Sequence, residues 1–260
     1  MDKDNIFKSC NFYLDDGDVV HVLIKDFVGD NLSISLNDNV GTQEDDTEIA
    51  MGGELYVGTY GALYNWYAAT DARGITSDGW HVPTDAEFAT LVAYLVAWFA
   101  GGKLKEMGTI YWDTPNTGAT NEVGFNGRGA GYRNYLGVYS SVKEFCYLIS
   151  SVEEDPGAYY NLTFTYNSAG AAIGYSDKKD GSILRPIKNS TTLLHGETGT
   201  YTSNDGKVYN TICIGTQEWL SQNLAETKFR NGENIPVVEN AAAWAALTTA
   251  GMCYYNNVEI

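Results

Sequence analysis

Basic residues are scarce: 16 Lys+Arg stand against 33 Asp+Glu, a formal net charge of -17. No cluster of Lys or Arg interrupts this acidity, so neither a phosphate backbone nor an anionic membrane surface has a basic face to dock on. Nucleic acid is therefore not expected as a partner. Long apolar runs are also missing. The longest, Phe88 to Ala100, is too short to cross a bilayer, and no membrane span is expected. The four cysteines, Cys10, Cys146, Cys213 and Cys253, form no CxxC pair. They can pair in three ways, but their wide spacing favours buried free thiols over a zinc or redox motif. Only three histidines occur, His21, His81 and His195, each isolated. They point to no metal cluster and no nameable Ser/His/Asp triad. The first residues, Met1-Asp2-Lys3-Asp4-Asn5, lack a basic region followed by an apolar stretch, so no secretory signal is read there.

What is present is a chain of 260 residues, 44% hydrophobic and 13% aromatic, with 19 Tyr and 28 Gly. That composition predicts many short strands, tight turns and exposed rings rather than disorder. The acidity is concentrated at one end. Residues 1–50 carry 12 acids and 3 bases, residues 51–190 carry 14 and 10, and residues 191–260 carry 7 and 3.

The first 50 residues read as a small β module. Asn11 to Leu14 forms one strand, Asp18 to Phe27 alternates through Val20, Val22 and Ile24, and Leu32, Ile34 and Leu36 alternate with serine. Asp15-Asp16-Gly17 and Gly29-Asp30-Asn31 supply turns, and Asn37 to Glu48 reads as an acidic linker. A second module starts near residue 51. Pro83-Thr84-Asp85-Ala86-Glu87 is a capping box, with Thr84 and Glu87 each able to satisfy the other's backbone N–H. Phe88, Leu91, Val92, Leu95 and Phe99 follow at helical spacing, and Gly101-Gly102 predicts the helix end. Asn240 predicts a cap for Ala241 to Leu247, anchored by Trp244. Tyr111 to Ile187 shows no long helical period and reads as loops and short strands, among them Tyr159 to Tyr166 with Leu162 and Phe164 on one face.

Several blocks in order resemble the Fibrobacter succinogenes major paralogous domain family. They are Tyr60-Gly61-Ala62-Leu63-Tyr64-Asn65-Trp66-Tyr67-Ala68, Asp78-Gly79-Trp80-His81-Val82-Pro83-Thr84, Gly101-Gly102-Lys103-Leu104-Lys105-Glu106, Gly118-Ala119-Thr120-Asn121-Glu122, Gly124-Phe125, Gly131-Tyr132-Arg133 and the closing Leu184-Arg185-Pro186-Ile187. The resemblance implies an α+β, C-type-lectin-like domain of short antiparallel strands, two helices and long loops, in a fold related to formylglycine-generating enzymes. The family's usual opening segment looks like Asp205-Gly206-Lys207-Val208-Tyr209, Ile214 to Leu220, Trp244 and Cys253-Tyr254-Tyr255-Asn256-Asn257, yet here it closes the chain. The expected organisation is thus a module at 1–50 and a circularly permuted domain at 51–260. Residues 51–188 would supply its central and C-terminal part, 189–198 a linker and 199–260 its N-terminal part. Completion of a neighbouring subunit by the last segment, which would give a homo-oligomer, is the rival arrangement.

The resemblance implies a variable binding surface between Gly131-Tyr132-Arg133 and the closing strand, residues 134–180. Its candidate contacts are Asn134, Tyr135, Ser140, Ser141, Lys143, Glu144, Phe145, Glu153, Glu154, Tyr159, Tyr160 and Asn161. Tyr and Asn suit this role, giving contact area and adaptable hydrogen bonds at low entropic cost. Adjacent strand residues face opposite ways, so only one of Tyr159 and Tyr160 is expected to point outward. Where the family has Trp-Trp-Ser-Ser, this chain has Leu148-Ile149-Ser150-Ser151, which changes the expected core or site floor. The implied function is a non-enzymatic receptor binder or adhesin, on a phage tail or a cell surface, recognising a host protein or glycan. The amino-terminal module would join other virion or surface subunits, and a diversifying retroelement would vary the loops. A copper-dependent oxidase like the formylglycine-generating relatives is the alternative; it needs two thiolates near one soft metal, and Cys146 and Cys253 are the pair to examine. No resident cofactor and no metal site are expected. Asp113, Asn116, Asn121 and Glu122 occupy the sort of loop where Ca²⁺ binds in lectins, whereas the acidic pairs Asp15/Asp16, Asp45/Asp46 and Glu153/Glu154 read as solvated turns.

Overall fold

The computed structural model describes residues 60–257 and, ahead of them, five short strands between Lys8 and Leu36. The expected turns at 15–17 and 29–30 and the linker at 37–48 lie outside the described residues. Contacts divide the chain into two units, Met1–Glu48 and Ile49–Ile260. In the first, β1 (Lys8–Tyr13), β2 (Val19–Ile24) and β5 (Ser35–Leu36) form one antiparallel sheet, while β3 (Phe27–Val28) pairs with β4 (Asn31–Leu32).

The second unit is built from β6 (Leu63–Tyr64), α1 (Trp66–Ala69), β7 (Trp80–His81), α2 (Asp85–Leu95), α3 (Ala97–Leu104), β8 (Ala130–Arg133), β9 (Tyr139–Val142), β10 (Phe145–Asp155), β11 (Ala158–Thr165), β12 (Ala171–Asp177) and β13 (Ile187–Lys188). It continues through β14 (Thr198–Thr202), β15 (Val208–Ile214), β16 (Gln217–Leu220), α4 (Ala241–Ala245) and β17 (Met252–Cys253). One five-stranded sheet has the order β12-β11-β10-β8-β9 and the other β14-β15-β16-β13-β7. The carboxy-terminal segment is woven into this unit: Trp219 of β16 pairs with Ile187 of β13, and β17 pairs with β6.

This architecture corrects the expected fold class. Among the described residues strand far outweighs helix, in curled sheets with four short helices, which is not a clear α+β C-type-lectin-like fold. The middle stretch expected as loops and short strands instead carries the long strands β10 and β11, whose pairings no local period reveals, and sheet therefore dominates.

Helix α2 begins as its sequence requires. Thr84 Oγ1 accepts from Glu87 N at 3.2 Å, and the Glu87 carboxylate accepts from Thr84 N at 2.8 Å. Thr84→Ala should lower stability by about 1 kcal/mol, measured as a shift in the urea midpoint at constant slope. The helix end differs from expectation. The chain breaks at Val96, with φ of 67°, and α3 then runs through both glycines to Leu104. Gly101 and Gly102 are there for close approach: a Cβ would lie 2.1 Å from Gly170 O at the first and 2.2 Å from Gly118 O at the second. The break also turns Phe99 outward, so of the predicted stripe Phe88, Leu91 and Leu95 are buried, Val92 partly so, and Phe99 exposed.

Two apolar clusters hold the unit together. Phe88, Leu104, Trp112, Phe125, Leu148, Phe164, Trp219 and Trp244 belong to one, where the Phe88 and Trp219 rings stack at 5.8 Å. Tyr64, Ile149, Tyr159, Leu184, Tyr201 and Leu220 belong to the other. Leu148 and Ile149, neighbours on β10, thus enter different clusters, as strand alternation dictates. Trp244 is fully buried on α4, whose Asn240 cap accepts from Ala243 N at 3.0 Å.

Candidate functional site

Strand β10 starts Phe145-Cys146-Tyr147-Leu148. Cys146 and Leu148 are fully buried, so Phe145 and Tyr147 lie on the opposite face of the sheet. Register extends this face across all five strands. Tyr147 pairs with Thr163 of β11, Thr163 with Ala172 of β12, and Tyr132 of β8 with Ser140 of β9. Because β8 runs parallel to β10 with Gly131 beside Cys146, Tyr132 falls next to Tyr147. The Phe145 and Tyr147 rings stack 5.4 Å apart with 2° between planes, and Tyr132 meets Tyr147 edge-on at 5.3 Å. All three rings are half-buried. Beside them Asn161 Nδ2 donates to Ser176 Oγ at 2.8 Å and Thr163 Oγ1 to Asn161 Oδ1 at 2.7 Å, forming a polar ladder.

The β8–β9 turn stands at this region. Asn134 Oδ1 accepts from Leu136 N and Val138 N, folding the turn so that Tyr135, Leu136 and Val138 are each about half exposed. At its base Arg133 exchanges backbone hydrogen bonds with Gly181, which brings Asp180 to the turn. Burial foremost, and then the Asp177 carboxylate, push the Asp180 carboxyl up to about 7, while Tyr135 N donates to it. Asp180 Oδ1 is buried without a hydrogen-bond partner. Burial, with Tyr132 and Asp180 nearby, likewise pushes the Tyr147 hydroxyl up to about 12. Such a surface offers ring faces, amide and hydroxyl groups and one titrating carboxyl. That chemistry suits recognition.

The structure brings together Asn134, Tyr135, Ser140 and Phe145 of the candidate residues, at or beside this row, whereas Asn161 is buried with its amide engaged by Ser176 and Thr163. Ser141 lies in β9 and Lys143 and Glu144 connect it to β10; Ser141 and Lys143 both have positive φ, and Lys143 N donates to Gly129 O at 2.6 Å. Glu153 and Glu154 lie exposed near the far end of β10, where Glu153 pairs with Lys178 at 2.8 Å. Tyr159 is fully buried with its hydroxyl on Ser182, whereas Tyr160 is half-buried opposite the exposed Tyr175. Tyr132, Tyr147 and Asp180 were not among the candidates. The alternation Phe145-Cys146-Tyr147 could have flagged one of them, but the neighbouring ring comes from a parallel pairing.

The other expectations resolve separately. Cys146, Cys213 and Cys253 are buried free thiols, and burial pushes Cys146 up to about 12. Asn121 is engaged by Asn126, and Glu122 by Lys103. Among the described residues, no three His, Cys, Asp or Glu converge as a metal site, and no helix is long and apolar enough to cross a membrane. Compared with known proteins, residues 25–206 match the family model described as the Fibrobacter succinogenes major domain. No curated protein and no solved structure matches the chain.

Proposed function

Because the chain belongs to the Fibrobacter succinogenes major domain family, whose model covers residues 25–206, we propose that it is a non-enzymatic binding protein that recognises its ligand with the open aromatic face of the first sheet. The observation that carries this reading is the row of Tyr132, Tyr147 and Phe145 beside the exposed turn Tyr135–Val138. Half-buried rings held by stacking lose little entropy on binding, and such rings commonly dominate interface energetics. The buried, protonated Cys146 supports binding over thiolate chemistry. The ligand class is a host-surface protein or glycan, the setting a phage tail or cell surface, and the amino-terminal module the attachment to other subunits.

Binding of the labelled protein to host cells, and to arrays of their glycans, tests this. Tyr147→Ala should weaken capture by roughly 30-fold, the size of a lost hot spot, with the melting transition retained. Undiminished capture by that variant would remove the face from the reading. The proposed retroelement diversification has its own test in population sequencing of the locus. Adenine-directed changes confined to codons 134–180 support it, and uniform drift across the chain sinks it.

A further inference from the structure

A second concavity, of about 230 Å³, has no residue in common with the aromatic face and is lined entirely by polar side chains. Arg185, from the segment before β13, forms part of its wall and is 1% exposed. Its Nε donates to Asn223 Oδ1 at 2.7 Å, its Nη2 to Asn126 O at 2.7 Å and its Nη1 to Phe125 O, while the guanidinium lies 4.2 Å over the Phe125 ring. Every one of these acceptors is neutral. Among the described residues no carboxylate forms an ion pair with Arg185, and burial pushes its guanidinium down to about 9. A buried charge left without a counter-charge is costly, and an anion in the adjoining space would relieve that cost.

The rest of the lining narrows the chemistry. Arg128 also faces the cleft, with Nε on Glu106 Oε2 at 2.6 Å and its guanidinium 3.8 Å over Tyr111. Arg185 therefore leaves one positive charge without a carboxylate partner among the described residues, on a chain whose net charge is -17. One excess charge matches a monoanion, and a planar guanidinium matches a carboxylate. Asn210 and Gln222 place amides on the wall, groups that both donate to and accept from hydroxyls. The volume lies below the roughly 300–1,000 Å³ of drug-sized sites, which calls for a small ligand. We propose that this cleft binds a small carboxylate bearing hydroxyl groups, in chemical class a sugar acid, with its carboxylate toward Arg185 and Arg128.

Calorimetric titration of the full chain at constant ionic strength tests the assignment, with glucuronate and galacturonate as probes and glucose and acetate as controls. At least one sugar acid should saturate a single site at least tenfold more tightly than either control. Arg185 is left intact because it ties together Asn126 and Asn223. Charge variants at the wall are used instead. Gln222→Glu should weaken sugar-acid binding about fivefold, and Glu106→Gln, which keeps an acceptor for Arg128, should tighten it by a similar factor. Tyr147→Ala should leave this binding unchanged, so failure here and failure of the aromatic face are read separately. The absence of saturable binding by both sugar acids, binding of glucose or acetate as tight as theirs, or insensitivity to both charge variants would overturn the proposal.

Discussion

Removal of residues 199–260 should abolish cooperative unfolding of what remains. The lost segment carries most of β14, all of β15, β16 and β17, and with them the only hydrogen-bonded neighbour of β6 in its two-stranded sheet among the described residues. It also carries two fully buried indoles, Trp219 against Phe88 and Phe125, and Trp244 beneath the Arg133 guanidinium at 4.6 Å. Truncating a buried Trp typically costs about 3–5 kcal/mol, so the two together approach the whole stability of an ordinary domain, about 5–15 kcal/mol. Arg133 would lose further partners, because Nη1 and Nη2 donate to Val238 O and Glu239 O, which leave with the segment. Circular dichroism and urea unfolding of residues 53–190 should show no cooperative transition, and a separate 199–260 peptide should restore one. A folded, monomeric 53–190 fragment would defeat both the permuted-domain and the swapped-subunit arrangements, since each needs the closing segment as an integral part of the core.

The features legible in the sequence were those decided within a few residues. The Thr84–Glu87 capping box, the Asn240 cap and the inward face of β11 at Leu162 and Phe164 follow from hydrogen-bond geometry or strand alternation at short range. Arg133 and Arg185 were recognisable as members of family blocks, but their burial was not, because it depends on carbonyls and rings brought from distant segments. The same limit explains the helix end. Gly101-Gly102 carries a stop signal locally, yet backbone at Gly118 and Gly170 requires the glycines inside α3. It also explains the site. Asn134, Tyr135 and Phe145 were candidates within the expected stretch, whereas Tyr147, in the same stretch, became significant only when the β8–β10 pairing set Tyr132 against it. Tyr159 drew notice because it lies in the stretch that the resemblance marks as variable, and its fully buried ring instead joins the second cluster.

Asp180→Asn should stabilise the protein above pH 7 and leave it nearly unchanged near pH 4. Burial, with the Asp177 carboxylate as the next cause, raises the Asp180 carboxyl to about 7 in the folded state, against about 3.9 in an unfolded chain. Between those values the native state holds a proton that the unfolded state has released, so stability falls as pH rises from about 4 to about 7 and then levels off. An amide cannot ionise and escapes that loss. Three pH units set a ceiling of about 4 kcal/mol, and partial solvent access reduces the expectation to roughly 2 kcal/mol, or about 5 °C in Tm for a domain of this size. Other carboxyls add their own pH dependence: burial raises Glu226, while Asp205 and Glu218 are held low by their hydrogen bonds and lysine partners against opposing desolvation. The informative quantity is therefore the difference between wild type and variant, taken from urea midpoints at pH 5 and pH 8. Parallel stability curves across that range would mean that Asp180 is already ionised at pH 5. Because this carboxyl adjoins the Tyr135 turn and influences the Tyr147 hydroxyl, a group that destabilises the fold when charged also sets the charge of the proposed binding face. A cationic or hydrogen-donating ligand would offset the cost of ionisation, so its binding should strengthen from pH 6 to pH 8 in the wild type and stay level in Asp180→Asn.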